Sequence, residues 1–247
     1  MLATLPRRAA RGLVFGAEAL AAALSPSTYT APVRALAARQ LCEAAWDVLP
    51  GFVAACAVLG ALVVRVIDST ARDFGLAGYS LDLYARLVVL ELVPLFVALL
   101  VSVRSGAAMG TEVALLRVQG VLDGGNDPLR AELLPRGIGV AAAVLSLTAI
   151  GCLVALLVAY VGLYGFSPWG HDAYARVIGR VFAPAVMAGF ALKVAFFAVA
   201  VAVVPVAASV GGPRAMDSVP DAAPRGLVGI FVLLALAEAF SIALLYA

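Results

Sequence analysis

The chain has 247 residues, of which 64% are hydrophobic and only 13% charged, with a net charge of +2 and a mean hydropathy of +1.06. A water-soluble domain of this size carries about a quarter charged residues to keep its surface wet, so this composition excludes an ordinary soluble enzyme. Scattered arginines and a near-neutral balance exclude a nucleic-acid binder, and one histidine with three dispersed cysteines supplies neither a disulfide framework nor a metal site.

The chain opens with Arg7, Arg8 and Arg11 ahead of Leu13-Val14-Phe15. A signal peptide also begins this way, but Glu18 interrupts the apolar stretch and no clean small-residue cleavage site follows. The expectation is an amphipathic helix over 7–24 lying in the membrane interface, within an N-terminal interfacial and elbow region 1–45. Ser25-Pro26-Ser27-Thr28 ends it, and Pro32 suits the first turn of a further helix.

Residues 46–247 are expected to form the membrane domain. Five apolar stretches, about 48–67, 83–103, 138–166, 182–206 and 227–247, are each long enough to cross a hydrocarbon core of roughly 30 Å. The fold class is therefore all-α integral membrane, with about five transmembrane helices and Trp46 as an interface anchor. If the N-terminus is cytoplasmic, eleven arginines fall inside (Arg7 to Arg39, Arg104 to Arg136, Arg214 and Arg225) and five outside (Arg65, Arg72, Arg86, Arg176 and Arg180). That asymmetry sets the orientation.

Residues that could carry chemistry are few. There is no glycine-rich phosphate loop before Lys193, the single lysine, and no Gly-x-Ser-x-Gly elbow. His171 beside Asp172 reads as an exposed loop histidine, so no catalytic residue and no cofactor are expected, and any ATP would be bound by a partner chain. Lys193 and Glu238 each fall about 11 residues into their spans, near mid-membrane, where a lone charge costs about 2.5–3.5 kcal/mol. A Lys193–Glu238 pair would relieve both, and Glu91 in the second span is the rival partner. The pair can be read as structural, or as serving a lipid headgroup or a proton relay.

The stretch from Glu91 to Arg136 carries most information. A helix leaves the membrane at Arg104 and continues on the cytoplasmic side, with Glu112, Gln119 and Asp123 at i, i+7 and i+11 on one face. Gly124-Gly125-Asn126 and Pro128 end it. A short, mostly apolar helix with one acidic stripe suits docking into a partner's groove, or packing on its own membrane domain.

The order Glu91-Leu92-x-Pro94, Arg104-x-Gly106, Thr111-Glu112 before an apolar helix with Arg117, Asp127-Pro128-Leu129-Arg130 and Pro135-Arg136 resembles the MlaE (YrbE) permease family. These are the membrane subunits of MCE-associated lipid ABC transporters. Arg39-Gln40 upstream and Lys193 and Glu238 downstream extend the resemblance to roughly residues 34–247. The sequence departs from the family at Val93 and Val103, where glycine is usual, and between Arg117 and Asp127, which is a few residues short and lacks the usual glutamate.

The resemblance implies a permease subunit moving phospholipid or another hydrophobic molecule between a bacterial inner membrane and the envelope. It implies a second permease copy (homo- or heterodimer), an ABC ATPase bound through Glu112, Leu116, Arg117, Gln119, Leu122 and Asp123, and an MCE-domain protein on the periplasmic side. The departures keep open a degenerate scaffold subunit that does not couple. A secondary transporter using Lys193 and Glu238 as a relay has the charges but too few spans and no inverted repeat.

Overall fold

The computed structural model describes residues 21, 25, 31–119, 133–210 and 222–246. The interfacial helix expected over 7–24 lies outside them, apart from Ala21 and Ser25. Among the described residues there are helices and turns and no strand. In chain order the helices are α1 (Ala31–Ala45), α2 (Leu49–Asp73), α3 (Ser80–Tyr84), α4 (Val93–Val101), α5 (Ala107–Val118), α6 (Leu134–Tyr164), α7 (His171–Val181), α8 (Pro184–Val210) and α9 (Ala222–Tyr246). Two π-helical stretches, Ala85–Leu92 and Ser102–Gly106, join α3 to α4 and α4 to α5.

Among the described residues five continuous helical stretches are long and apolar enough to cross a membrane: Leu49–Asp73, Ala77–Gly106, Leu134–Tyr164, Pro184–Ala207 and Gly226–Ala243. The protein is all-α and spans a membrane several times, as its composition requires. The first span runs further than its apolar stretch, because the polar residues after Ile67 still form helix; Arg72 pairs with Asp68 one turn back at 2.6 Å. It closes in a Schellman turn: Gly75 adopts φ 72°, Leu76 N–H donates to Ala71 O (2.7 Å) and Gly75 N–H to Arg72 O (3.0 Å).

The chain divides into two compact units. One comprises Asp47–Val97 and Leu145–Phe196. Its core is built on small-for-large contacts: Gly60 faces the Tyr84 hydroxyl, Gly151 faces Val93 and Phe52, and Gly162 faces Val64. A Cβ at any of these glycines would come within 3 Å of its neighbour, so the glycines set how closely the helices approach. Phe52 stacks on Phe96 with centroids 6.0 Å apart.

Helix α7 lies between the third and fourth apolar stretches, where the sequence reading places His171 in a loop. Yet Tyr174, Val177, Ile178 and Val181 recur at helical spacing, and Val177, Ile178 and Val181 pack on Ala85 and Leu90. His171 therefore opens a helix instead of sitting in a loop, with its side chain exposed and 3.7 Å from Asp172. Tyr174 donates to Leu156 O (3.0 Å) and meets Tyr160 edge-on at 5.2 Å. Burial, then the neighbouring Tyr164, pushes the Tyr174 phenol pKa up.

The other unit comprises Met1–Trp46, Ala98–Val144 and Phe197–Ala247. Val140, Val144, Phe197, Val201, Ile230 and Leu234 form its fully buried centre. Helix α5 and the second π stretch pack along α9, and Gly106 lies against Pro205 and Ile230. Helix α1 is seated on α6 at Gly139, where an added Cβ would lie 2.6 Å from Ala37 O and 2.7 Å from Gln40 Cβ.

Candidate functional sites: a buried notch and a helix beyond the second span

Within the first of these units, the second span carries Pro94 near its middle, and the local structure follows from that residue. In an α-helix the N–H of residue 94 would serve the carbonyl of Leu90; in a π register it would serve Val89. Proline has no N–H, so neither carbonyl receives it. The helix is in π register here, with Val93 N–H donating to Val88 O. In a lipid core a freed carbonyl must find another donor within the protein. Two neighbouring helices supply them: the Cys152 thiol donates to Val89 O (3.7 Å) and the Lys193 ammonium to Leu90 O (3.3 Å).

Lys193 also forms an ion pair with Glu91, the next residue along the widened turn. Their side chains are 8% and 7% exposed. Of the two acids the sequence offers Lys193, Glu91 is thus a partner that receives its ammonium. Glu238 is buried in α9. The arrangement is a polar notch in an apolar wall: two carbonyls, a carboxylate, a thiol and an ammonium brought together by a proline. Periodicity does not reveal this notch, but Pro94 three residues after Glu91 is a readable signal for it.

In the other unit, α5 extends the second span beyond the π stretch Ser102–Gly106. Glu112 lies on its surface and forms an ion pair with Arg136, the third residue of α6. Leu116 and Arg117 belong to the helix, Gln119 is exposed in the turn that follows, and Gln119 N–H donates to Leu115 O (3.0 Å). Helix α5 ends at Val118, one residue before Gln119 of the expected acidic stripe; Leu122, Asp123 and the glycine stop at 124–126 lie outside the described residues. Gln40 and Glu43 of α1, Arg104 and Ser105 of the π stretch, Glu112 and Arg136 line one cleft of about 170 Å³. Its charges balance, two of each sign. The Glu112–Arg136 contact was not foreseen, because 24 residues separate the two and no local pattern links them.

Among the described residues no group of three or more His, Cys, Asp or Glu could hold a metal ion.

Five helices fit to span a membrane among the described residues, an ion pair sealed in a buried notch, and a helix continuing past the second span define a multi-pass integral membrane protein. The family model described as Permease MlaE matches residues 37–244, and the chain belongs to the MlaE permease family. It is accordingly a membrane subunit of an ABC transporter. No curated protein matches the sequence.

Proposed function

We propose that this chain is the permease subunit of an MCE-type ABC transporter that moves phospholipid or another hydrophobic molecule between the inner membrane and the envelope. A separate ATPase powers it, an MCE-domain protein receives or delivers the cargo on the periplasmic side, and a second permease copy completes the translocation path. The N-terminus faces the cytoplasm, following the eleven-to-five arginine bias.

The observation that carries this reading is the family match over 37–244, which takes in both α5 and the Lys193–Glu91 pair. The chain's sequence contains no phosphate-binding loop, so hydrolysis falls to a partner. Segment 111–130 is the natural dock for that partner, since α5 carries the second span beyond its apolar stretch, with Glu112 exposed on it and Gln119 exposed in the turn after it.

Val93, Val103 and the short stretch between Arg117 and Asp127 support a second reading, a scaffold subunit whose paralogue couples to the ATPase. Mass spectrometry of the complex purified through this chain separates the two. An ATPase, an MCE protein and bound phospholipid are expected with this chain as the sole permease. A second, different permease in equal amount would favour the scaffold, and absence of any ATPase would overturn both.

A further inference from the structure

We infer that the Glu112–Arg136 ion pair is a latch that carries movement of α5 into the third span. The inference rests on the proposed docking of an ATPase at α5.

Helix α5 is held in its unit in two different ways. Toward α9 it packs through helix surface, as does the π stretch before it, where Gly106 lies against Ile230. Such packing resists separation but specifies direction weakly, because dispersion contacts are many and individually small. Toward α6 the described contact is directional: a guanidinium–carboxylate pair with the Arg136 side chain 22% and the Glu112 side chain 56% exposed. Arg136 sits in the first turn of a 31-residue helix, so a displacement of its guanidinium acts on the end of a long rigid rod. The same end of α6 is fixed to α1 by the close backbone approach at Gly139. A pull on Arg136 is therefore resisted locally and passes into the helix axis.

The pair lines a cleft of about 170 Å³ with Gln40, Glu43, Arg104 and Ser105, so it sits at an edge of the unit that a docked partner can reach. Glu112 also stands in the segment proposed to meet the ATPase, so one residue joins partner contact to span three. Arg136 is a positioning residue on this account: it meets neither nucleotide nor cargo.

The test uses the complex purified through this chain, with Cys42 and Cys56 replaced, Cys152 changed to Ser so that a donor to Val89 O remains, and spin labels at Ala108 and Ala141. Their distance is measured with and without ATP, and recovery of the ATPase is scored in parallel. In the otherwise unaltered complex the two labels are expected to move as one body, with the distance unchanged by ATP. Arg136→Gln removes the cation of the pair and leaves Glu112, in the segment proposed to meet the ATPase, unaltered. It should retain the ATPase yet show an ATP-dependent shift of roughly 1–2 Å or more, the scale of helix displacements in switching proteins. Arg136→Lys, which keeps a cation for Glu112, should restore the constant distance. If the ATPase is recovered and the distance is constant in both variants, or Arg136→Lys fails to restore what Arg136→Gln loses, the latch is overturned while the proposed function stands. If no ATPase accompanies the unaltered chain, the proposed function falls and the latch falls with it.

Discussion

Replacing Lys193 by Met should be among the most damaging single changes in the protein, and its cost can be apportioned from the notch. The change strips the partner from a Glu91 side chain that is 7% exposed, and it removes the donor from Leu90 O. Breaking a buried ion pair by removing one member costs about 3–5 kcal/mol. Replacing Glu91 by Leu as well removes the stranded charge but still leaves the carbonyl without its donor, a residual cost of about 1–3 kcal/mol. The double variant should therefore be more stable than Lys193→Met alone, by about 2 kcal/mol or more. Adding Pro94→Ala to the double supplies a backbone N–H at the one position both freed carbonyls lack, and should recover part of the residual. Thermal midpoints in detergent, read by size-exclusion recovery after heating, resolve this, since 1 kcal/mol shifts a chain of this size by roughly 2–4 °C. A double variant as unstable as the sum of the two singles would refute the pairing. A triple variant no better than the double would refute the role assigned to Pro94.

Three further outcomes are expected. Tyr174→Phe, which loses the bond to Leu156 O, should cost about 0.5–1.5 kcal/mol, read as a lower thermal midpoint with assembly retained. Gly139→Val should cost about 1–3 kcal/mol or more, because its side chain has no room against Ala37 O and Gln40; proteolysis within 31–45 should quicken as α1 is forced off, and an unchanged digestion rate would contradict the seating. Cysteines placed at Asp172 and Gln119, both exposed, should label from opposite faces of intact spheroplasts, position 172 from outside; labelling of position 119 from outside would invert the topology.

The spanning helices were legible because lipid imposes a rule that composition must obey: about 20 apolar residues for each helical crossing. Their ends were less so. Polar residues from Asp68 to Asp73 read as loop, but a helix once started continues at little cost until a terminator such as Gly75 appears. Helix α7 is hard to read because His171, Asp172, Arg176 and Arg180 interrupt it, while Tyr174, Val177, Ile178 and Val181 line up only at a period of 3.6. The buried charges were found easily, since a charge in an apolar run is conspicuous. Which acid meets Lys193 was not fixed by depth, because Glu91 and Glu238 both fall near mid-span. What brings Glu91 to Lys193 is the backbone at Pro94: the missing N–H frees Leu90 O, and the ammonium that serves it is carried beside the adjacent carboxylate.

The two ion pairs of this chain differ in exposure, and the difference sorts their roles. Lys193 and Glu91 are sealed at both ends, and separating them means leaving charge in a dry environment at a cost of several kcal/mol. A contact of that kind holds one geometry and cannot be cycled with each turnover unless cargo replaces it. Glu112 and Arg136 stand partly in solvent, where pairs contribute only about 0–1 kcal/mol and water compensates for much of what is lost on opening. A pair of that kind holds only while its charges attract, and salt can release it. On this reasoning the sealed pair is expected to hold the architecture of its unit around Pro94. The half-open pair is the one proposed to pass movement on. The measured contrast should be in salt dependence: raising ionic strength should weaken the Glu112–Arg136 contact, seen as an ATP-dependent label distance in the otherwise unaltered complex. The thermal loss caused by Lys193→Met should be nearly insensitive to salt. Equal salt dependence at both sites would remove the distinction and, with it, the assignment of one pair to structure and the other to motion.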